Sequence, residues 1–265
     1  MDVFHYKSAV IKVGTGIVRP KDAIKNLVDQ IVLIGEEVER IYLVTSGAMA
    51  FGRAKHGVKK RQDESDARKR MFSACGQVDL MSRYEEYVEG VHKWIAYQIL
   101  VTRKNFSSMQ ECAELLGTLD EIFNAETKGL PIINENDAIA DDEIRGRNNR
   151  FTDNDELAGM LANLVRADVM VLLTNTNGVQ RNLKKRRSNI PEISIEEQEK
   201  NRKFVISNAT NGDEDGTGGM ESKYNVCCKT SQNGIRSIIA DGRKPDTLKK
   251  IFLTGGSSGT AFLPH

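Results

Sequence analysis

The sequence predicts an α/β protein built on a central, mostly parallel β-sheet, and three observations carry that prediction. Short apolar runs alternate with longer stretches of helical period, the pattern of crossover units feeding a parallel sheet. Four candidate strands run directly into segments of Gly, Ser, Thr, Asn or Asp. A chain of 265 residues, 39% of them hydrophobic, has enough apolar surface for one large core or two modest ones, with one domain the default.

Six strands are expected at 9–13, 40–44, 95–100, 130–133, 169–173 and 237–240, and a closing one at 259–263. Pro20 suits a first helical turn, after which Ile24, Leu27, Val28, Ile31 and Val32 share one helix face. Two further stripes are expected to face the core: Met71, Cys75, Val78, Met81, Tyr84 and Val88, then Leu157, Met160, Leu161, Leu164 and Val165. From about 180 to 215 the pattern decays through the basic run Lys184–Arg187, which predicts a long excursion from the sheet. No internal repeat is present.

Composition narrows the function classes. The 38 basic and 37 acidic side chains nearly cancel, giving a formal charge of +1 and no bulk drive toward nucleic acid or membrane. Cys75, Cys112, Cys227 and Cys228 include no C-x-x-C pair and the four histidines are scattered, so no metal site is expected. The opening MDVFHYKSAV shows neither a secretory signal nor a membrane span. The expectation is a cytoplasmic enzyme with reduced thiols.

Chemistry is carried by five segments at element ends, where open α/β sheets bind ligands. Lys12-Val-Gly14-Thr15-Gly16 closes the first strand; glycines admit backbone amides to phosphate oxygens and the lysine adds charge, although such a sequence is more often a plain turn. It is not a Walker loop, which has a different spacing. Thr45-Ser46-Gly47-Ala48 follows the second strand, where Ser46 either caps the next helix or meets a ligand there. Asn134-Glu-Asn-Asp137 and Thr152-Asp153-Asn154-Asp155 cluster amides and carboxylates, suited to a polar substrate such as an amino acid. In the second of these, Thr152 with Asp155 or Asp153 with Glu156 equally suits a capping pair. Gly216-Thr217-Gly218-Gly219-Met220-Glu-Ser-Lys223 joins a glycine loop, a helix start and a lysine, the physics of a nucleotide-phosphate site.

In order along the chain, Val10–Thr15, Val44–Ala48, Gly76-Gln77, Leu100–Thr102, Pro131–Asp137, Asp153–Asp155, Leu172–Thr174 and Gly216–Met220 resemble the glutamate-phosphorylating members of the amino acid kinase family. The match spans almost the whole chain. The resemblance implies a mostly parallel sheet between two layers of helices, in a single domain over 1–265 without the carboxyl-terminal PUA domain that many relatives carry. About 1–165 would bind glutamate and about 166–265 the nucleotide. It further implies ATP as phosphoryl donor with Mg²⁺, glutamate as acceptor, and a place at the first step of proline synthesis. Proline is the implied inhibitor and a dimer or tetramer the implied assembly.

Carried over by motif, Lys12 and Lys223 would neutralise the phosphoryl group in flight and Asp155 would hold both. Ser46, Asn134, Asp137 and Asn154 would bind glutamate, with Asp153 supporting their loop. Lys12, Gly14, Thr15, Thr174, Asn175, Thr217, Gly218, Gly219, Met220 and Lys223 would meet the nucleotide. No general base is called for, because a side-chain carboxylate with a reference pKa near ~4.3 is already ionised at neutral pH. The chain departs from the family pattern at Gly16, Thr152 and Asn175, which stand for serine, glycine and aspartate, and in a longer, basic loop at Arg145–Arg150. Rival readings are a kinase of the same fold acting on acetylglutamate, aspartate, a nucleoside monophosphate or carbamate, and a nucleotide-binding regulator without catalysis. A third takes Lys184–Arg187 as a nucleic-acid patch, although such runs are usually solvated faces.

Overall fold

The computed structural model describes residues 5–20, 22–61, 63–139, 153–182, 188–207, 219–255 and 258–264. In chain order the elements are β1 (Ser8–Val13), α1 (Thr15–Val18), α2 (Ala23–Ile34), β2 (Arg40–Val44), α3 (Ala48–Lys55), α4 (Asp66–Val88), β3 (Ile95–Val101), α5 (Met109–Asn124) and β4 (Gly129–Glu135). They continue with α6 (Asn154–Val165), β5 (Val169–Thr174), β6 (Glu192–Ile193), α7 (Gln198–Ser207), α8 (Met220–Gln232), β7 (Arg236–Asp241), α9 (Thr247–Leu253) and β8 (Thr260–Phe262). All seven expected strands are present.

One eight-stranded sheet runs β3-β4-β2-β1-β5-β7-β8-β6. Every neighbouring pair is parallel except β7 with β8. The central strands are buried on both faces, which is why they read as unbroken apolar runs. Side chains alternate between two cores. Ala9, Ile11 and Val13 of β1 join the core under α2, α3, α4 and α9, whereas Val10 joins the one under α5, α6, α7 and α8. Lys12 shares parity with Val10, so β1 directs it toward the α6–α8 layer.

The chain leaves β1 toward β2 on one side and later places β5 on the other. That reversal opens a crevice beyond the carboxyl ends of β1 and β5, the position at which open α/β sheets bind ligands.

Two expectations are corrected. On α4, Tyr84 and Val88 are buried as expected and Met81 packs against the core, but Met71 and Val78 are exposed, and Phe72, Gly76 and Leu80 complete the core face. The cause is a glycine-mediated helix crossing: a Cβ on Gly76 would lie 1.9 Å from the Ala48 carbonyl oxygen, and one on Gly52 would lie 1.9 Å from that of Phe72. Close approach along these small residues turns Met71 and Val78 outward. The stretch after 180 is not simply an excursion either. Glu192 and Ile193 pair with β8 at the sheet edge, and α7 adds Val205 to the second core.

Candidate active site

The crevice is built on the first turn of α6. Asp153 caps this helix, its Oδ1 accepting from the backbone N–H groups of Asp155 (3.0 Å) and Glu156 (2.9 Å). Its other oxygen accepts a short hydrogen bond from the Ser222 hydroxyl in the first turn of α8. The amino ends of α6 and α8 are therefore stitched together, and both bring backbone N–H groups and the positive end of a helix dipole to one place.

Asp155 is fully buried and lies between two ammonium groups, Lys12 Nζ at 2.6 Å from Oδ1 and Lys223 Nζ at 3.0 Å from Oδ2. Attraction between the net charges is the larger part of this interaction, and hydrogen bonding from both ammonium groups adds to it. Burial pushes the Asp155 pKa up, but Lys12 and Lys223 together outweigh it and hold the carboxyl below its ordinary value. Within this trio two positive charges face one negative, the sign that attracts a phosphate. Residues 143 and 211 positions apart on the chain from Lys12 meet here only because of the fold.

Beside this ionic centre sits a neutral cluster. Asn154 Nδ2 donates to the Thr45 carbonyl (2.6 Å), the Ser46 hydroxyl (2.8 Å) and Asn134 Oδ1 (2.9 Å), so its two hydrogens serve three acceptors. Asn134 Oδ1 also accepts from the Glu135 N–H (2.9 Å), and Asn134 Nδ2 donates to Gln77 Oε1 (2.8 Å). Thr45 and Tyr84 share a buried hydroxyl–hydroxyl bond of 2.8 Å. Ser46 caps no helix: the cap position of α3 is Gly47, whose φ of 112° is the left-handed region that glycine tolerates. That turn frees the Ser46 hydroxyl for Asn154.

The fold thus brings Lys12, Asp155 and Lys223 into one contact group and Ser46, Asn134 and Asn154 into another, joined through adjacent residues of α6. Asp137 is half-buried in the turn after β4. Gly14 and Thr15 begin α1 immediately after β1, and a Cβ on Gly14 would lie 3.9 Å from Lys12 Nζ. Thr174 ends β5, its carbonyl accepting from the Gly242 N–H at 2.8 Å, with Asn175 next in the turn. Gly219 caps α8 and Met220 opens it. Thr217, Gly218, Gly216, Thr152, the 145–150 loop and the 184–187 run lie outside the described residues. Of the two capping pairs the sequence allowed, Asp153 with Glu156 is the one whose side chain caps through the Glu156 N–H.

Several participants had no assigned role in the sequence. Gln77 and Tyr84 reach the cluster from α4, and Arg103 pairs closely with Glu156 in the first turn of α6. For Gln77 a signal exists: an amide beside a glycine within a strongly helical stretch. Among the described residues no group of three or more His, Cys, Asp or Glu is arranged to hold a metal ion, and no helix is long and apolar enough to cross a membrane.

Fold and site define an α/β protein that collects small ligands at the carboxyl edge of a doubly covered sheet. The chain belongs to the amino acid kinase family, whose model matches residues 7–241. It is 30% identical to the glutamate 5-kinase of Acaryochloris marina over 98% of this chain and 70% of that protein. It is 33% identical to the glutamate 5-kinase of Thermosynechococcus vestitus over 98% of this chain and 69% of that protein. Among solved structures, Giardia carbamate kinase aligns with a TM-score of 0.66 at 15% identity, covering 98% of this chain and 99% of that one. N-acetylglutamate synthase from Neisseria gonorrhoeae aligns with a TM-score of 0.66 at 14% identity, over 98% of this chain and 60% of that one. At such identities the structures speak to the fold alone, which they share.

Proposed function

We infer that this chain transfers the γ-phosphoryl group of ATP to the side-chain carboxylate of L-glutamate, giving L-glutamyl 5-phosphate and ADP, the first step of proline synthesis. The observation that carries the inference is the buried Lys12–Asp155–Lys223 group standing beside the Ser46–Asn134–Asn154 cluster. Further support comes from relatives that are glutamate 5-kinases aligned over nearly the full chain.

The chemistry follows from charge. A glutamate carboxylate is ionised at neutral pH, so one of its oxygens attacks the γ-phosphorus without a base while the bond to the β-phosphate oxygen breaks and ADP departs. The obstacle is repulsion between two anions and charge gathering on the transferred group. Lys12 and Lys223 are the groups we assign to that charge, and they act most strongly where water is excluded. Asp155 keeps two like charges together before ATP arrives, and its low pKa keeps it anionic throughout the neutral range. Ser46, Asn134, Asp137 and Asn154 orient glutamate in this reading, and Asp153 fixes the turn they share. We assign the nucleotide to Gly14, Thr15, Thr174, Asn175 and the 217–223 segment, with Mg²⁺ arriving as part of the MgATP substrate. Apart from the turn after β1, the amino-terminal part of the chain serves the acceptor in this reading and the carboxyl-terminal part the donor. Proline is proposed to compete at the acceptor site.

ADP release measured with glutamate, aspartate and N-acetylglutamate tests the proposal. Glutamate is expected to give the highest kcat/KM, because acetylation removes the ammonium charge that the acceptor site pairs. A higher value for N-acetylglutamate would overturn the assignment, and ATP binding without turnover of any acceptor would identify a regulator.

A further inference from the structure

The hydrogen bonds of the neutral cluster form a chain with a direction. The Glu135 N–H can only donate, so the atom of Asn134 that faces it is the oxygen. The amide nitrogen of Asn134 must then face Gln77, which presents its oxygen at 2.8 Å. At the other end, Asn154 faces the Thr45 carbonyl, an obligate acceptor, and so turns its nitrogen toward Thr45, Ser46 and Asn134. The Asn154 carbonyl oxygen is left on the opposite side of its amide, as an acceptor.

Gln77 holds this chain at a cost. Its side chain is buried, and its Nε2 has no hydrogen-bond partner among the described residues. An apolar side chain of the same size would remove that orphan donor but leave Asn134 Nδ2 unpaired in its place, so Gln77 leaves its own donor unmatched while satisfying that of Asn134. A buried amide that breaks a local rule in this way beside a ligand site marks functional geometry. The placement is also specific: the glycine contacts at Gly52 and Gly76 press α4 against α3, and Gln77, next to Gly76, reaches the end of β4.

We propose that Gln77 is a positioning residue for the acceptor site: by accepting from Asn134 Nδ2 it holds in place the Asn134 amide, whose direction the Glu135 N–H sets, and through it the Asn154 amide. Asn154, its nitrogen turned toward the Thr45 carbonyl, offers an oxygen, and not an NH₂, to a ligand ammonium group. The inference rests on the reading of a free amino acid as acceptor. It explains how the site selects an unacylated amine without devoting a second carboxylate to it.

Gln77→Met keeps the volume and removes the acceptor. It is expected to raise the KM for glutamate roughly tenfold, as for loss of one hydrogen-bond partner, while the KM for ATP and the Tm stay close to wild type. Gln77→Glu, which restores an oxygen facing Asn134, should recover most of the lost affinity. Because Gln77 acts through Asn134, Q77M/N134A should be no worse than N134A alone. Ser73→Ala on the same helix face, where the hydroxyl is also buried and unpartnered, should change neither KM. An unchanged glutamate KM in Q77M, a parallel rise in both KM values with a fall in Tm, or additive losses in the double variant would each overturn the proposal. Gln77→Ala gives the same readings if Q77M does not fold. A wild-type protein that does not turn over glutamate would instead remove the substrate assignment and this inference with it, whereas an active wild type with an indifferent Q77M removes the inference alone.

Discussion

Asn154 and Asp155 are neighbours at the start of α6, yet they belong to opposite kinds of environment. Asn154 enters a neutral network in which each bond has a direction, its nitrogen facing only acceptors. Asp155 enters an ionic group in which net charge is the larger influence and hydrogen bonding the smaller one. Hydrogen-bond networks specify orientation at modest energy per bond, whereas a buried ion group holds a large electrostatic imbalance that a ligand can redistribute. One helix turn thus serves both demands of phosphoryl transfer, positioning and charge.

The comparison breaks if the two residues respond alike to substitution. The largest effects are expected at the ionic centre. Asp155→Asn leaves Lys12 and Lys223 facing each other, and breaking a buried ion pair costs about 3–5 kcal/mol; kcat should fall at least about a hundredfold, with KM for glutamate changing far less. Lys12→Ala and Lys223→Ala should each lower kcat by roughly a hundredfold. Their double variant should lose less than the product of the two, because both act on one group. Steady-state kinetics with Tm controls decides this, and near-normal kcat in either lysine variant would remove that residue from the mechanism.

Next come substitutions on the neutral side. Asp137→Ala and Asn154→Ala should raise KM for glutamate, Asp137→Ala by the equivalent of about 1.5–3 kcal/mol because its partner is a charged ligand group, and leave KM for ATP near wild type. Equal losses toward both substrates would make these residues structural.

A pH series sharpens the contrast. The Asp155 carboxyl is held below its ordinary range, so its share of stability is present above the unfolded pKa of about 3.9 and is lost as pH falls through the lower folded value. The Tm difference between wild type and D155N should be constant near neutrality and shrink only below about pH 4. A difference that shrank already near pH 6 would place the titrating group elsewhere. The smallest effect is expected from Tyr84→Phe, which removes the bond to Thr45. Stability should drop by about 1 kcal/mol in a denaturant titration, with both KM values little changed.

Much of the fold was legible because it depends on local pattern. Strand runs buried on both faces leave a continuous apolar signature, and the expected strands agree with the observed ones to within two residues at each end. On α4 the expected face agrees at Tyr84 and Val88 and fails at Met71 and Val78, which carry the right period for a helix but the wrong phase. The phase was set by glycine contacts with α3, which no periodicity within α4 encodes. β6 was missed since two residues at a sheet edge have no pattern of their own.

In the site, residue types and their place at element ends were readable from the sequence alone: lysines after and before glycines, and amides and carboxylates at strand and helix ends. Chemical type is local information. What only the tertiary structure decided is who meets whom. Lys12, Asp155 and Lys223 converge because β1 is central and the chain reverses across it, bringing the amino ends of α6 and α8 over one strand end. The direction of the Gln77–Asn134–Asn154 chain is likewise invisible in sequence, because an amide has two faces and only fixed backbone donors and acceptors around it determine which one each neighbour sees.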